Sequence, residues 1–291
     1  MKKNLIVLSL SVLMLSGCAS VAPVVSNGGT TPIRNAVSQV KEIDDLQTVA
    51  DYARTAPART LFVFDIDDTL LTAEQFFGSD YWYEWQKQKD LPSSEAVKCK
   101  FDYIALNYEA QSMKPTQIDA AEVFNAITAP KMLQTSRGAN YRGGTERELA
   151  RNGFKLPTAL DNQSVGRIWD WTSADGSRNA PVSYHHGLMM VTGQDKGVML
   201  EFLLAQTAKG GAFDRVVLID DGIANIENMQ RAMRTANRDY MGFHYTRISK
   251  PLPINPELAK QADDDYEQSR KYLKDVFPTR YEQLEKGDCA Y

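Results

Sequence analysis

Three aspartates stand within four positions in LFVFDIDDTLL, residues 61–71, where Asp65, Asp67 and Asp68 follow the apolar run Leu61–Phe64. An all-apolar run of that length reads as a strand covered on both faces, and like charges crowded at its end repel. Such a cluster is either a solvated turn or the holder of a cation. Three more apolar runs also stop at chemically active residues. Lys131–Gln134 lead into Thr135, Ser136 and Arg137; the run ending at Val191 is followed by Lys196 at the opening of a helix; Arg215–Ile219 end at Asp220 and Asp221. If the four ends meet, a cation explains the aspartates better than a turn does.

The elements that must bring them together follow from periodicity. Ile43, Leu46, Val49, Ala50 and Ala53 are spaced for a helix over 41–56, stopped by Pro57. Residues 73–128 are helical in character and rich in aromatics, with Pro92 and Pro115 as breaks. Thr145-Glu146-Arg147-Glu148 matches a capping box opening a helix that ends near Gly153. Residues 155–186 lack a long periodic segment and read as an insertion with a hairpin, on which Trp169 and Trp171 share one face. Residues 186–191 and 215–222 read as strands, each followed by a helix. Strand and helix in alternation predict an α/β fold with a parallel sheet covered by helices. Sites in such sheets form beyond the carboxyl ends of the strands, where the four polar ends would lie.

Hydrophobic residues make up 43% of the chain and charged residues 24%, an ordinary globular composition. The net charge of −4 supplies no basic footprint for nucleic acid. The start, MKKNLIVLSLSVLMLSGCAS, has two lysines, an apolar run and small residues, the layout of a secretory signal over 1–17. Leu15-Ser16-Gly17-Cys18 resembles a bacterial lipobox, which implies lipidation of Cys18, and Ala19 after it implies the outer membrane. Residues 18–40 then read as a lipidated Cys and a flexible tether, and 41–291 as the folded domain. Cys99 and Cys289 are left either to bridge or to remain free thiols.

With its motifs in view, the chain resembles the haloacid dehalogenase superfamily over about residues 60–230. Asp65-Ile66-Asp67-Asp68-Thr69 matches the first motif, Thr135 the second, Lys196 the third, and Asp220-Asp221 the fourth, in the right order. The resemblance implies a Rossmann-like core with a small α-helical cap inserted between the first two motifs, at about 73–128. It implies a phosphomonoester hydrolase in which Asp65 is the nucleophile and forms an aspartyl-phosphate. Mg²⁺ would be held by Asp65, the Asp67 backbone carbonyl and Asp221, with Asp220 behind the ligands; Asp221 aligns with the ligand in the phosphatase domain of soluble epoxide hydrolases. Asp67 would be general acid and then general base. Thr135, Ser136 and Lys196 would meet phosphoryl oxygens, and Arg137, which follows the second motif, would meet a phosphate or substrate anion or else pair with a surface acid.

True dehalogenases lack the second acid and the transport ATPases carry Thr there, so Asp67 selects phosphoryl transfer. The expected partners are a small phosphorylated substrate and, through the lipid, a membrane; no nucleic acid and no obligatory protein partner are expected. A lipoprotein of this kind is similar in location to the class C acid phosphatases. Its first motif departs from their four-aspartate pattern, so no substrate is carried over. The cap aromatics Phe76, Phe77, Tyr81, Trp82, Tyr83 and Trp85 either stack on a flat leaving group or fill the cap's own core, with Trp82 the ring expected to face a substrate. Phosphotransfer by the same residues, and capture of a phosphorylated ligand without turnover, are the alternative activities.

Overall fold

Residues 60–64, TLFVF, are fully buried because hydrogen-bonded neighbours flank them on both sides and helices cover both faces. The computed structural model describes residues 36–89, 97–158, 160, 166–207 and 210–290. The signal sequence, Cys18 and residues 19–35 of the expected tether lie outside the described residues, whereas its last three, 38–40, belong to a strand.

In chain order, strand β1 (Ser38–Ile43) precedes helix α1 (Gln47–Thr55) and strand β2 (Thr60–Phe64). A short strand β3 (Leu71–Ala73) leads to helices α2 (Asp80–Gln88) and α3 (Lys100–Ala110), and strand β4 (Met113–Pro115) leads back. Then come α4 (Ala120–Ala126), β5 (Lys131–Thr135), α5 (Arg142–Arg151), the hairpin β6 (Arg167–Thr172) and β7 (Asn179–His185), and β8 (Leu188–Met190). The chain closes with α6 (Lys196–Gln206), β9 (Arg215–Asp220), α7 (Ile223–Thr235), β10 (Asp239–Tyr245), α8 (Pro256–Val276) and α9 (Pro278–Lys286).

Among the described residues eight strands form one sheet in the order β1-β10-β9-β2-β5-β8-β7-β6, parallel from β1 to β8 and extended by the antiparallel hairpin. This is a mixed α/β fold with a large, mostly parallel sheet flanked by helices. It sets β2 between β9 and β5, with β8 next, so the tips carrying Asp65, Asp221 and Thr135, and the loop leading to Lys196, lie side by side. Trp169 and Trp171 of β6 both pack on Phe202, with ring centroids 5.2 and 4.7 Å away.

Three expectations are corrected. The helix expected over 41–56 begins only at Gln47, because Ser38–Ile43 is a strand paired with β10, register Ser38 to Tyr240. Thr145 opens no helix; it lies inside α5 with its hydroxyl donating to the Tyr141 carbonyl, the outlet an interior hydroxyl has. The stretch 73–128 divides in two. Antiparallel pairing of β3 with β4 pinches residues 74–112 into an insertion, while α4 sits in the crossover, its Phe124 ring 5.0 Å from Phe64 of β2.

The insertion leans on the C-terminal helices. Tyr266 of α8 lies 4.9 Å from the ring of Tyr103 and 6.3 Å from that of Phe77. Cys99 and Cys289 are joined by a disulfide, Cα atoms 5.1 Å apart, which settles the alternative left open above. Arg280 pairs with Asp102 beside it.

Candidate active site

The chain leaves β2 through a tight turn. The Leu71 N–H donates to the Ile66 carbonyl at 2.9 Å and the Asp68 N–H to the Leu71 carbonyl at 2.7 Å. Asp68 takes φ +54°, a left-handed conformation that Asp tolerates better than most residues. Thr69 is fully buried, and its hydroxyl accepts the Asp221 N–H at 3.0 Å, tying this turn to the end of β9.

Asp65 stands at the tip of β2, 4% exposed. Its Oδ1 accepts from the Lys196 Nζ at 2.6 Å, and its Oδ2 has no hydrogen-bond partner among the described residues. Lys196 is the first residue of α6, presented by Asp195, whose carboxylate accepts the Gly197 and Val198 N–H groups as an N-cap. The same ammonium donates to Asp220 Oδ2 at 2.6 Å. Asp220 is further held by the Gly222 N–H and the Asn225 amide, both at 2.9 Å, so its oxygens are fully engaged in bracing the site.

Asp67 and Arg137 form a forked pair, Nε to Oδ2 at 2.8 Å and Nη2 to Oδ1 at 2.7 Å. Arg137, expected either to meet a substrate anion or to pair with a surface acid, is paired with Asp67. It is 4% exposed, with Nη1 on the Thr145 hydroxyl at 2.8 Å and the Tyr108 ring 3.8 Å from its guanidinium carbon. Its donors are turned inward because a buried guanidinium is stable only when its fork is filled. Thr135 is also fully buried, its hydroxyl accepting the Arg137 N–H at 3.2 Å, whereas Ser136 beside it is exposed.

Trp82 is corrected as well. It is 1% exposed and packs edge-on against Phe77, centroids 5.2 Å apart, because its place in the first turn of α2 faces the insertion's own core. A cleft of about 200 Å³ opens instead beside Asp68 and Lys250, lined also by Thr72, Phe76, Tyr81 and Leu258.

Sequence reasoning missed Asp80 and Lys250. Asp80 opens α2, where an acid is indistinguishable from an ordinary first-turn residue. Lys250 lies in a loop after β10 with no motif around it. Its Nζ stands 2.6 Å from Asp221, 2.8 Å from Asp80 and 3.1 Å from Asp68.

The electrostatics favour a cation. Six carboxylates, of Asp65, Asp67, Asp68, Asp80, Asp220 and Asp221, face three cationic side chains, Lys196, Lys250 and Arg137. Burial pushes the Asp65 carboxyl well above the usual carboxylate range; Lys196 opposes this, and Asp220, Asp221 and Asp67 add to it. Burial likewise pushes Asp221 up to about 8 against the pull of Lys250, with Asp220 and Asp80 adding to the rise. Oxygens of Asp65, Asp220 and Asp221 lie within 4.8 Å of one another. All-oxygen donors with surplus negative charge suit a hard divalent ion, so the residues fit one.

A model of one protein family matches residues 39–279. The chain belongs to the family described as Protein of unknown function (DUF2608). No curated protein matches it. Among solved structures it is similar to the class C acid phosphatase from Bacillus anthracis at 13% identity, over 76% of this chain and 84% of that one, with a TM-score of 0.34. Similarity at that level carries no argument about activity.

Proposed function

We propose that the protein is a haloacid dehalogenase-type, Mg²⁺-dependent phosphatase that hydrolyses a small phosphomonoester through an aspartyl-phosphate on Asp65. The observation that carries this reading is the Lys196 ammonium at 2.6 Å from both Asp65 and Asp220, on neighbouring strand tips, with Asp221 alongside. That arrangement orients one carboxylate oxygen, leaves the other free, and supplies positive charge where phosphoryl oxygens would arrive.

Asp65, Asp221 and the Asp67 backbone carbonyl would hold the ion, which would offset the charge of the phosphoryl group as it meets the carboxylate. The free Asp65 Oδ2 attacks phosphorus, and the bond from phosphorus to the leaving oxygen breaks. The Lys196 ammonium donates hydrogen bonds to Asp65 and Asp220 and has a third N–H for a phosphoryl oxygen. Asp67 gives a proton to the leaving oxygen and later takes one from the water that attacks the acyl phosphate, which restores Asp65 and releases phosphate. Arg137 contacts both Asp67 oxygens and fixes their orientation. Arg137, anchored on Thr145 and Tyr108, is therefore the positioning residue for Asp67. The exposed Ser136 hydroxyl is placed to meet the phosphoryl group, and Thr135 shapes the loop that carries it.

The lipobox at Cys18 makes the protein an exported lipoprotein, anchored to the bacterial envelope at the outer membrane. The disulfide fits that location, since such bonds persist outside the reducing cytosol. Mass spectrometry of the mature N-terminus, beside Cys18→Ser, tests the anchor. Phosphate release from a panel of phosphomonoesters, with Mg²⁺ and with EDTA, tests the activity. Release that needs the metal and vanishes in Asp65→Asn supports it. Release that survives Asp65→Asn, or no release from folded protein on any substrate, overturns it.

A further inference from the structure

Two acidic groups share Asp221. Oxygens of Asp65, Asp220 and Asp221 lie within 4.8 Å of one another, and so do oxygens of Asp68, Asp80 and Asp221. Two oxygen groups hinged on one carboxylate is the layout that pairs of divalent ions use, about 3.5–4 Å apart. Here each group already contains an ammonium, and the two are used differently. Lys196 stands between two carboxylates, whereas Lys250 stands among three: it donates to Asp221 Oδ2 at 2.6 Å and Asp80 Oδ2 at 2.8 Å and pairs with Asp68 Oδ2 at 3.1 Å. An ammonium ringed by three carboxylates has its charge offset by the protein itself.

We propose that Lys250 is the resident cation of the Asp68, Asp80 and Asp221 group, standing where a second divalent ion would sit and holding the centre to a single ion. The inference rests on the metal-dependent reading above and names what limits its metal count. Geometry supports it beyond charge. The three carboxylates come from three separate parts of the chain: the turn after β2, the first turn of α2 and the end of β9. Lys250 comes from a fourth. Its contact with Asp80 also ties the insertion to the centre, and Lys250 takes only one oxygen of Asp221. The other, Oδ1, has no hydrogen-bond partner among the described residues and is left for the ion on the Asp65 side.

Mn²⁺ binding to the full chain, counted by electron paramagnetic resonance of the free ion, tests this. The native protein should bind one Mn²⁺. Lys250→Met should bind two, and adding Asp80→Asn to it should return the count to one. Asp80→Asn alone should leave one ion with its affinity within about threefold, since Asp80 faces Lys250 and not the first ion. Lys250→Gln, neutral and shorter, repeats the experiment if the Met variant does not fold. Two ions on the native chain, one ion on both neutral variants, or loss of the ion in Asp80→Asn each overturns the inference. No ion on the native chain overturns the metal-dependent reading, and this inference with it.

Discussion

Lys196 and Lys250 each gather carboxylates in one acidic centre, yet they are built from opposite materials. Lys196 opens a helix of the core and meets acids on two neighbouring strand tips; its side chain is 1% exposed and those of Asp65 and Asp220 are 6% and 0% exposed. Lys250 rides on a loop, is 19% exposed, and reaches an acid in the insertion that is 34% exposed. The difference teaches that the reacting side is fixed by the sheet, whereas the neutralising side joins two sheet-end acids to a loop and an insertion that the sheet does not position.

The first way to break the comparison is on the Lys196 side. Asp65→Asn should lower phosphate release by about 10⁴-fold or more, because groups acting as one unit fail together; single-turnover assays with Mg²⁺ read this directly. Arg137→Met should lower turnover by about 10²- to 10⁴-fold, the range of general acid–base assistance, through loss of the Asp67 position. It should also cost about 3–5 kcal/mol in denaturant melts, as loss of one partner from a buried pair does. A pH–rate profile separates the two effects, since misplacing Asp67 reshapes the profile and lower stability does not.

The disulfide gives a test on the other side. Cys99→Ser with Cys289→Ser should lower stability by about 2–5 kcal/mol in thermal or urea unfolding. Because the bond pins the insertion that carries Asp80, the loss should weaken Mn²⁺ binding less than Asp221→Asn does.

Asp221 belongs to both halves and sets the pH behaviour. Folding raises its affinity for a proton, from an ordinary carboxylate value to about 8, so the metal-free native state holds a proton that the unfolded chain has lost. This contribution is fully present below about pH 4, and metal-free stability should fall as pH rises toward 8. Mg²⁺ should reverse the trend, and its affinity should rise over the same interval as the proton leaves. Melting curves from pH 5 to 9, with Mg²⁺ and with EDTA, check this; a flat metal-free curve contradicts it. The smallest effect expected is Ser136→Ala, about tenfold in turnover, compared with Thr135→Val, whose cost should appear in stability.

How much was legible follows the same division. Asp65, Lys196, Asp220 and Asp221 could be read because β2, β8 and β9 are unbroken apolar runs, and a parallel sheet forces their ends together. Arg137 was placed at the right strand end, but sequence does not show that Asp67 takes its fork while Thr145 and Tyr108 hold its other side. Trp82 could not be separated from neighbouring aromatics without knowing which face of α2 is buried. β1 was invisible because an edge strand such as SQVKEI is polar and mostly exposed, and its residues fit the start of a helix equally well. Asp80 and Lys250 had no signal at all, because their meeting depends on where a loop and an insertion fold back.

The bond between Cys99 and Cys289 has a consequence of covalent topology. It closes a ring over a sequence separation of 190 residues, and the ring contains Arg137, Lys196, Asp221 and Lys250. Asp65, Asp67, Asp68 and Asp80 lie on the arm outside it. A single cut within the ring thus leaves every part of the centre on one covalent molecule, whereas a cut between Asp65 and Cys99 divides it.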